Sequence, residues 1–433
     1  QNLLLLLASY FFYGYVDPWF CILIGISTVV DYSCALGMEK YPKKKSAFLL
    51  LSLLTNLGLL GFFKYFNFFL ENFRGVLNIF DLDCSLETLE ILLPAGISFY
   101  TFQTLSYTID VYRGKLKARH RFLDFALFVS FFPQLVAGPI ERARRLLPQM
   151  EESRSFDLGL LSLALPLLLR GYMKKMVIAE NVAPYVDKIF ILSSPSVLLL
   201  FSGSLAFALQ IYADFSAYTD IARASARLFG FELMENFYSP YLAISPSDFW
   251  RRWHVSFSSW IRDYLYIPLG GSRVESSIAF LGILLASLGL SGLWHGASWH
   301  FVAWGVFHAL LVFIYHKLGM GGRWKPKSKI GIAAAWLVMS LATIFAWSIF
   351  RCPNLSWLLS SLLNFHFSKE IVITATLVTL VFLTYTIPLL LLLLIDRFCP
   401  KSFWANALLN AFLLVLIVVL GSSRPQDFIY FRF

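Results

Sequence analysis

Continuous apolar runs, about as long as a lipid bilayer is thick, limit how this chain folds more than any other feature. Residues 47–70, 197–212, 371–395 and 404–420 approach or reach the roughly 20 residues that a helix needs to cross the hydrocarbon. Lipid offers no partner to backbone N–H and C=O groups, so these runs must satisfy their own and fold as helices. Barrel strands would alternate polar and apolar residues instead. Only 14% of the 433 residues are charged, against about a quarter in a soluble domain. The sequence therefore predicts an all-α polytopic membrane protein.

Apolar runs set against basic loops place about eleven transmembrane helices near 3–15, 19–38, 47–70, 91–111, 156–178, 197–213, 277–293, 298–317, 331–350, 371–395 and 404–421. The formal charge of +10 gathers at 40–45, 113–121, 142–145, 323–329 and 397–401. Basic residues at helix ends belong to cytoplasmic loops, so this charge speaks for membrane orientation and against nucleic acid. Both 113–121 and 142–145 ask for the inside. Residues 122–137 between them are therefore expected to be re-entrant, with Pro133, Gly138 and Pro139 breaking a helix against protein or water. The five cysteines, Cys21, Cys34, Cys84, Cys352 and Cys399, show no metal or redox spacing and read as packing residues. No internal repeat and no soluble domain interrupts the chain, which reads as one membrane domain over 1–433. Gln1 already lies inside an apolar run, so a further helix is expected ahead of it.

Two stretches carry polar chemistry inside this apolar frame. Between 214 and 273 the chain turns dense in Trp, Tyr, Arg and Asp, around SPSDFWRRWHVSFSSWIRDYLYIPLGGSR. At helical spacing Trp250, Trp253, His254, Phe257, Trp260 and Tyr264 share one face, while Asp248, Arg251, Arg252 and Arg262 lie largely on the other. An interfacial helix would use such residues for anchoring. Paired arginines, Asp263 and a histidine on the aromatic face exceed that need, and ionisable groups within a membrane mark sites. In SGLWHGASWHFVAWGVFHALL, His295 falls between two apolar helices, flanked by Gly292 and Gly296, which permit close approach of backbone or substrate. His300, His308 and His316 follow at spacings that make no metal site and read as packing residues. There is no G-x-S-x-G elbow and no phosphate-cradling glycine loop. The H-x-x-x-D string at His120 to Asp124 carries no weight alone.

Six blocks stand out along the chain: ISFYTFQTLSYTIDVYRG (97–114), FFPQLVAGPIERARRLLPQM (131–150), YADFSAYTDIA (212–222), DFWRRWHVSFSSWIRDYLYIPLGG (248–271), GLWHGASW (292–299) and the tail FIYFRF. In these blocks and their order the chain resembles the membrane-bound O-acyltransferase (MBOAT) family, and within it the bacterial alginate O-acetylation branch. Three departures stand out. IARASA (221–226) replaces the family's M-A-I-G-L-A, which puts Arg223 and Ser225 in the cavity region. Ala309 stands where a glycine commonly follows the histidine matching His308, and the helix that the family usually has ahead of the segment at Gln1 is expected upstream of this sequence.

The resemblance implies a ring of helices around a central catalytic funnel, with His295 catalytic and His254 its partner. It implies O-acetyl transfer from acetyl-CoA, as a substrate and not a bound cofactor, toward an extracytoplasmic polysaccharide in the bacterial cytoplasmic membrane. It also implies an extracytoplasmic hydrolase-like partner protein. An imidazole titrating near pH 6.5 is suited to take a hydroxyl proton, a role that falls to His295. Arg251, Arg252 and Arg262, with Trp253 and Asp220, are the candidates for holding the donor, since guanidinium groups bind phosphate. Lipid headgroups would use the same arginines. The alternatives are a D-alanyl transferase for teichoic acids and, in another class, a transporter or lipid flippase.

Overall fold

The computed structural model describes residues 1–15, 17–82, 87–155, 157–398 and 402–429, and every regular element in it is helical. Cys84, Cys399, Lys401 and tail residues 430–433 lie outside the described residues. Among the described residues seven helices are long and apolar enough to span: Phe20–Lys40, Pro42–Ile79, Val197–Leu228, Ser277–His295, Trp299–Lys317, Lys329–Arg351 and Lys369–Phe398. Shorter helices occupy the remaining expected positions, and the contacts divide the chain into two compact units.

The first unit holds Gln1–Asp157 and Ser225–Met234. Its helices are α1 (Asn2–Gly14), α2 (Phe20–Lys40), α3 (Lys45–Leu60), α4 (Phe66–Ile79), α5 (Ile97–Tyr112), α6 (Phe122–Ser130), α7 (Phe132–Leu135) and α8 (Ala143–Glu151). Helices α2, α3 and α5 pack on one another around a buried carboxylate. Asp31 accepts from Ser52 Oγ at 2.6 Å and from Asn56 Nδ2 at 2.9 Å, and Asn56 accepts in turn from Ser27 at 2.6 Å. Hydrogen bonds of this kind hold helices together where lipid removes the hydrophobic drive to associate. Helices α6 and α7 have nine and four residues, too few to span. The break between them is satisfied from within, because Gln103 and Gln134 both donate to the Phe128 carbonyl, at 2.5 and 3.1 Å. Ser9 Oγ accepts from the Phe132 N–H at 3.2 Å. Phe125, Phe128 and Phe131 are fully buried beside them, so the interrupted backbone lies against protein, as its sequence requires.

The second unit holds Leu158–Ala224 and Glu235–Phe433. It contains α9 (Leu158–Tyr172), α10 (Glu180–Phe190), α11 (Val197–Leu228, whose last turn belongs to the first unit), α12 (Pro246–Trp250), α13 (Val255–Ile261), α14 (Ser277–His295), α15 (Trp299–Lys317), α16 (Lys329–Arg351), α17 (Leu355–Leu363), α18 (Lys369–Phe398) and α19 (Phe403–Leu420). Side-chain caps set several of the starts. Ser276, Ser328, Asn354 and Ser402 each accept from the N–H three residues on, at 3.3, 3.0, 2.8 and 3.2 Å.

Two sequence expectations are corrected here. The helix expected to end near 213 continues to Leu228, because the polar residues of its second half find partners inside the protein. The single amphipathic helix expected across 248–264 is broken. Trp250 ends α12, and His254 takes a left-handed conformation (φ 43°) ahead of α13. Asn236 holds that break, its backbone carbonyl taking the Val255 N–H at 3.0 Å and its side-chain oxygen the Ser256 N–H at 3.1 Å.

Helices α14 and α15 pack as a close antiparallel pair. A Cβ at Gly292 would run into the Phe301 carbonyl oxygen, and one at Gly305 into that of Leu288, so two glycines set the approach of the backbones. Gly305→Ala should therefore force the pair apart, at a cost of roughly 1–3 kcal/mol, whereas Gly282→Ala on α14, which meets nothing, should be silent. Thermal melting of the two variants in detergent checks this, and equal midpoints would contradict it.

Candidate active site

His295 is the last residue of α14 and is buried at 4% exposure. Its ring is surrounded by aromatics: Trp294 at 5.0 Å, Trp304 at 5.2 Å, Phe350 at 5.3 Å and Phe257 at 5.5 Å between centroids. The chain leaves α14 extended at Gly296, where a Cβ would strike the Phe301 ring. The glycines flanking His295 thus admit α15.

His254 is fully buried and shares two of these neighbours, with Phe257 at 5.2 Å and Trp294 at 6.1 Å. Phe215 of α11 meets it edge-on at 4.7 Å. The two histidines, 41 residues apart in sequence, are therefore brought to one aromatic cluster. Ser256 Oγ lies 3.4 Å from His254 Nδ1, and Nε2 has no hydrogen-bond partner among the described residues. Burial pushes its imidazole down to about 3. His254 is consequently neutral at physiological pH, able to exchange a hydrogen bond but not to present a charge. Its left-handed backbone is uncommon for a residue with a side chain and aims the ring inward from a turn.

Beside this cluster lies a cavity of about 310 Å³ whose lining includes Arg251, Arg262, Phe257, Ser287 and Ser291. Arg251 and Arg262 are more than two-fifths exposed, each paired with an acid, Asp248 at 3.3 Å and Asp263 at 2.8 Å. The Ser287 and Ser291 hydroxyls are buried in its wall without a partner among the described residues. Ser291 stands one turn before His295. Phe257 lines the cavity and also packs on His295, so one ring joins the cavity wall to the histidine cluster.

The remaining candidates fall elsewhere. Arg252 is taken up by Asp248 (3.1 Å) and the Tyr238 carbonyl (3.2 Å). Trp253 is core, stacked on Phe249 and packed on Trp347 at 4.9 Å. Asp220 pairs with Lys174 at 2.7 Å, and Arg223 reaches Asp220 and Glu235 at 4.0 and 3.6 Å. His308 is packed between Trp250 and Trp304, His300 bonds Ser298 at 2.8 Å, and His316 lies against Phe280. No cluster of three or more His, Cys, Asp or Glu suited to a metal occurs among the described residues.

Sequence reasoning missed a buried ionic group on the far side of Phe215. Lys174 and Lys175 lie in a π-helical turn, Met173–Ala179, that continues α9. Lys174 donates to Ser216 at 2.9 Å, and Lys175 meets Asp214 at 2.9 Å, Glu180 at 3.8 Å and the Gln426 carbonyl at 2.9 Å. Asp214 also accepts from the Ile429 N–H at 2.8 Å, which lays Phe428 on Tyr218 and beside Phe215. Burial raises the Glu180 carboxyl above its ordinary range. The signal was present in the sequence, as two lysines inside an apolar run and two aspartates six residues apart in another.

The profile of the membrane-bound O-acyltransferase family matches residues 8–318. A probable alginate O-acetylase of Pseudomonas aeruginosa is 38% identical, over 82% of this chain and 68% of its own length. A peptidoglycan O-acetyltransferase of Helicobacter pylori is 34% identical, over the whole of this chain and 91% of its own. A teichoic acid D-alanyltransferase of Bacillus subtilis is 27% identical, over 59% and 68%. The chain is thus similar to acyltransferases and not to transporters in each of these matches. With its spanning helices and this family match, the chain belongs to the membrane-bound O-acyltransferase family as a multi-pass membrane acyltransferase.

Proposed function

We propose that the chain transfers an acetyl group from acetyl-CoA toward the hydroxyl of an extracytoplasmic polysaccharide, with His295 as the general base. The observation that carries this reading is the arrangement of His295 and His254 around Phe257 and Trp294, with Phe257 also in the wall of a cavity that Arg251 and Arg262 line. The greater identity and coverage of the two O-acetylating relatives support acetyl over alanyl.

The chemistry follows from the groups present. His295 takes the proton of the accepting hydroxyl as its oxygen bonds to the thioester carbonyl carbon. The carbon–sulfur bond then breaks, and the proton passes to the departing thiolate. Neutral His254, carrying its proton on one nitrogen, donates a hydrogen bond to the developing oxyanion or orients His295. The aromatic walls keep water from competing for the thioester. Arg251 and Arg262 meet the phosphates of the donor, and Ser287 and Ser291 offer hydroxyls to the amides of its flexible arm. That first accepting hydroxyl belongs to a separate extracytoplasmic hydrolase-like protein, which passes the acetyl group on to a polysaccharide hydroxyl.

Labelled acetyl-CoA and alanyl-carrier, offered separately to purified protein, test the donor; transfer from the carrier alone would replace this reading with D-alanyl transfer. His295→Ala and His295→Gln should each lower acetyl transfer by roughly 10²–10⁴-fold, since neither side chain takes a proton at neutral pH. Near-normal turnover by either, at matched expression and elution profile, would remove the base assignment. His254→Gln should keep more activity and leave the acid limb of the kcat/KM profile in place, because His254 does not titrate there; a shifted limb would contradict its neutral role. Arg251→Ala should raise the donor KM roughly 3–10-fold with kcat little changed, since phosphates remote from the carbonyl bind alike in ground and transition states. An unchanged KM in both Arg251→Ala and Arg262→Ala would assign them to lipid anchoring.

A further inference from the structure

Away from the histidines, the second unit carries two cavities that share part of their lining. One, of about 370 Å³, is lined by Arg170, Lys174, Asp220, Glu235 and Asp396 among others. The other, of about 470 Å³, is almost wholly apolar, bounded by Phe201, Leu205, Leu209, Trp336 and Phe382 among others. Tyr212, Ser239, Leu389 and Leu393 line both, so the polar cavity adjoins the apolar one.

The gradient runs the same way on two helices. Along α11 the lining residues Phe201, Leu205, Leu209, Tyr212, Ser216 and Asp220 recur every three or four positions and pass from apolar to charged. Along α18, Phe382, Thr386, Leu389, Leu393 and Asp396 do the same. Fifteen residues separate Leu205 from Asp220, roughly 22 Å of helix, which is about half of a bilayer 40–45 Å thick. A ligand that fills such a groove has a charged head and a tail one leaflet deep.

The charges specify the head. Glu235 and Asp396 are the open ones, with side chains 41% and 48% exposed, whereas Arg170 and Lys174 lie deeper at 24% and 9%. Open carboxylates, deeper cations that Asp220 and Asp396 pair, and an apolar groove beyond match an ammonium, a phosphate diester and acyl chains. We propose that this groove binds one molecule of an amine-headed phospholipid, phosphatidylethanolamine. An anionic phospholipid brings the same phosphate and chains but meets the rim carboxylates without a cation. The ion pairs Arg170–Asp396 (2.5 Å) and Lys174–Asp220 (2.7 Å) face the groove, and a zwitterionic head solvates both signs where water is scarce.

Native mass spectrometry of the delipidated protein, titrated with dioleoyl phosphatidylethanolamine or dioleoyl phosphatidylglycerol, tests this. One phosphatidylethanolamine should be retained at least tenfold more tightly than phosphatidylglycerol. Leu393→Trp, at the exposed junction of the two cavities, should weaken retention of phosphatidylethanolamine by a similar factor. Glu235→Gln combined with Asp396→Asn should narrow the ratio between the two lipids. Equal retention of both lipids by the unaltered protein, retention unaffected by Leu393→Trp, or a ratio unmoved by the double change would each overturn the proposal.

Discussion

The pairing of Lys174 and Lys175 with Asp220 and Asp214 is the interaction on which the second unit depends most. A charged side chain among apolar helices costs several kcal/mol unless it is paired and hydrogen-bonded, and here each ammonium has both a carboxylate and a neutral oxygen. These bonds tie the π-helical turn after α9 to the middle of α11. A wider turn of this kind re-aims side chains without ending a helix. They also let α11 continue through Asp214, Ser216, Thr219 and Asp220, so that Phe215, on the same stretch, stands edge-on to His254.

The same accounting governs the breaks in the helices. At Phe128 a carbonyl is taken by two glutamine side chains, and at His254 two N–H groups are taken by Asn236. Each break places a residue that an unbroken helix would aim elsewhere. At His254 the break points the ring into the aromatic cluster containing Trp294 and Phe257, where His295 also packs.

The two histidines have different surroundings on the side of the cavity. His295 ends a helix whose preceding turn contributes the unpartnered hydroxyl of Ser291 to the lining that also holds Arg251 and Arg262. His254 is likewise enclosed by rings, and burial keeps it neutral. Under the proposed function, the position of Ser291 in the cavity wall, one turn from His295, favours His295 for proton transfer and leaves orientation to His254.

The sequence by itself determined the helical class, the position of nearly every long helix, the break within 122–137 and the histidine blocks, because each follows from local apolar length, backbone chemistry or a short motif. It did not determine where polarity ends a helix. Asp214 and Asp220 read as the close of a span, yet their partners lie some forty residues earlier, at Lys174 and Lys175. Nor did periodicity reveal that 248–264 is broken, since Asn236, the residue that holds the break, lies outside the segment whose period was read. Of the donor candidates, Arg251 and Arg262 reach the cavity while Arg252, Trp253 and Asp220 turn to other partners, a division that spacing along a helix cannot make. Local pattern fixes which segments enter the membrane. Which charges meet inside it is decided only by tertiary packing, because a buried charge takes its partner from whichever helix the fold brings alongside.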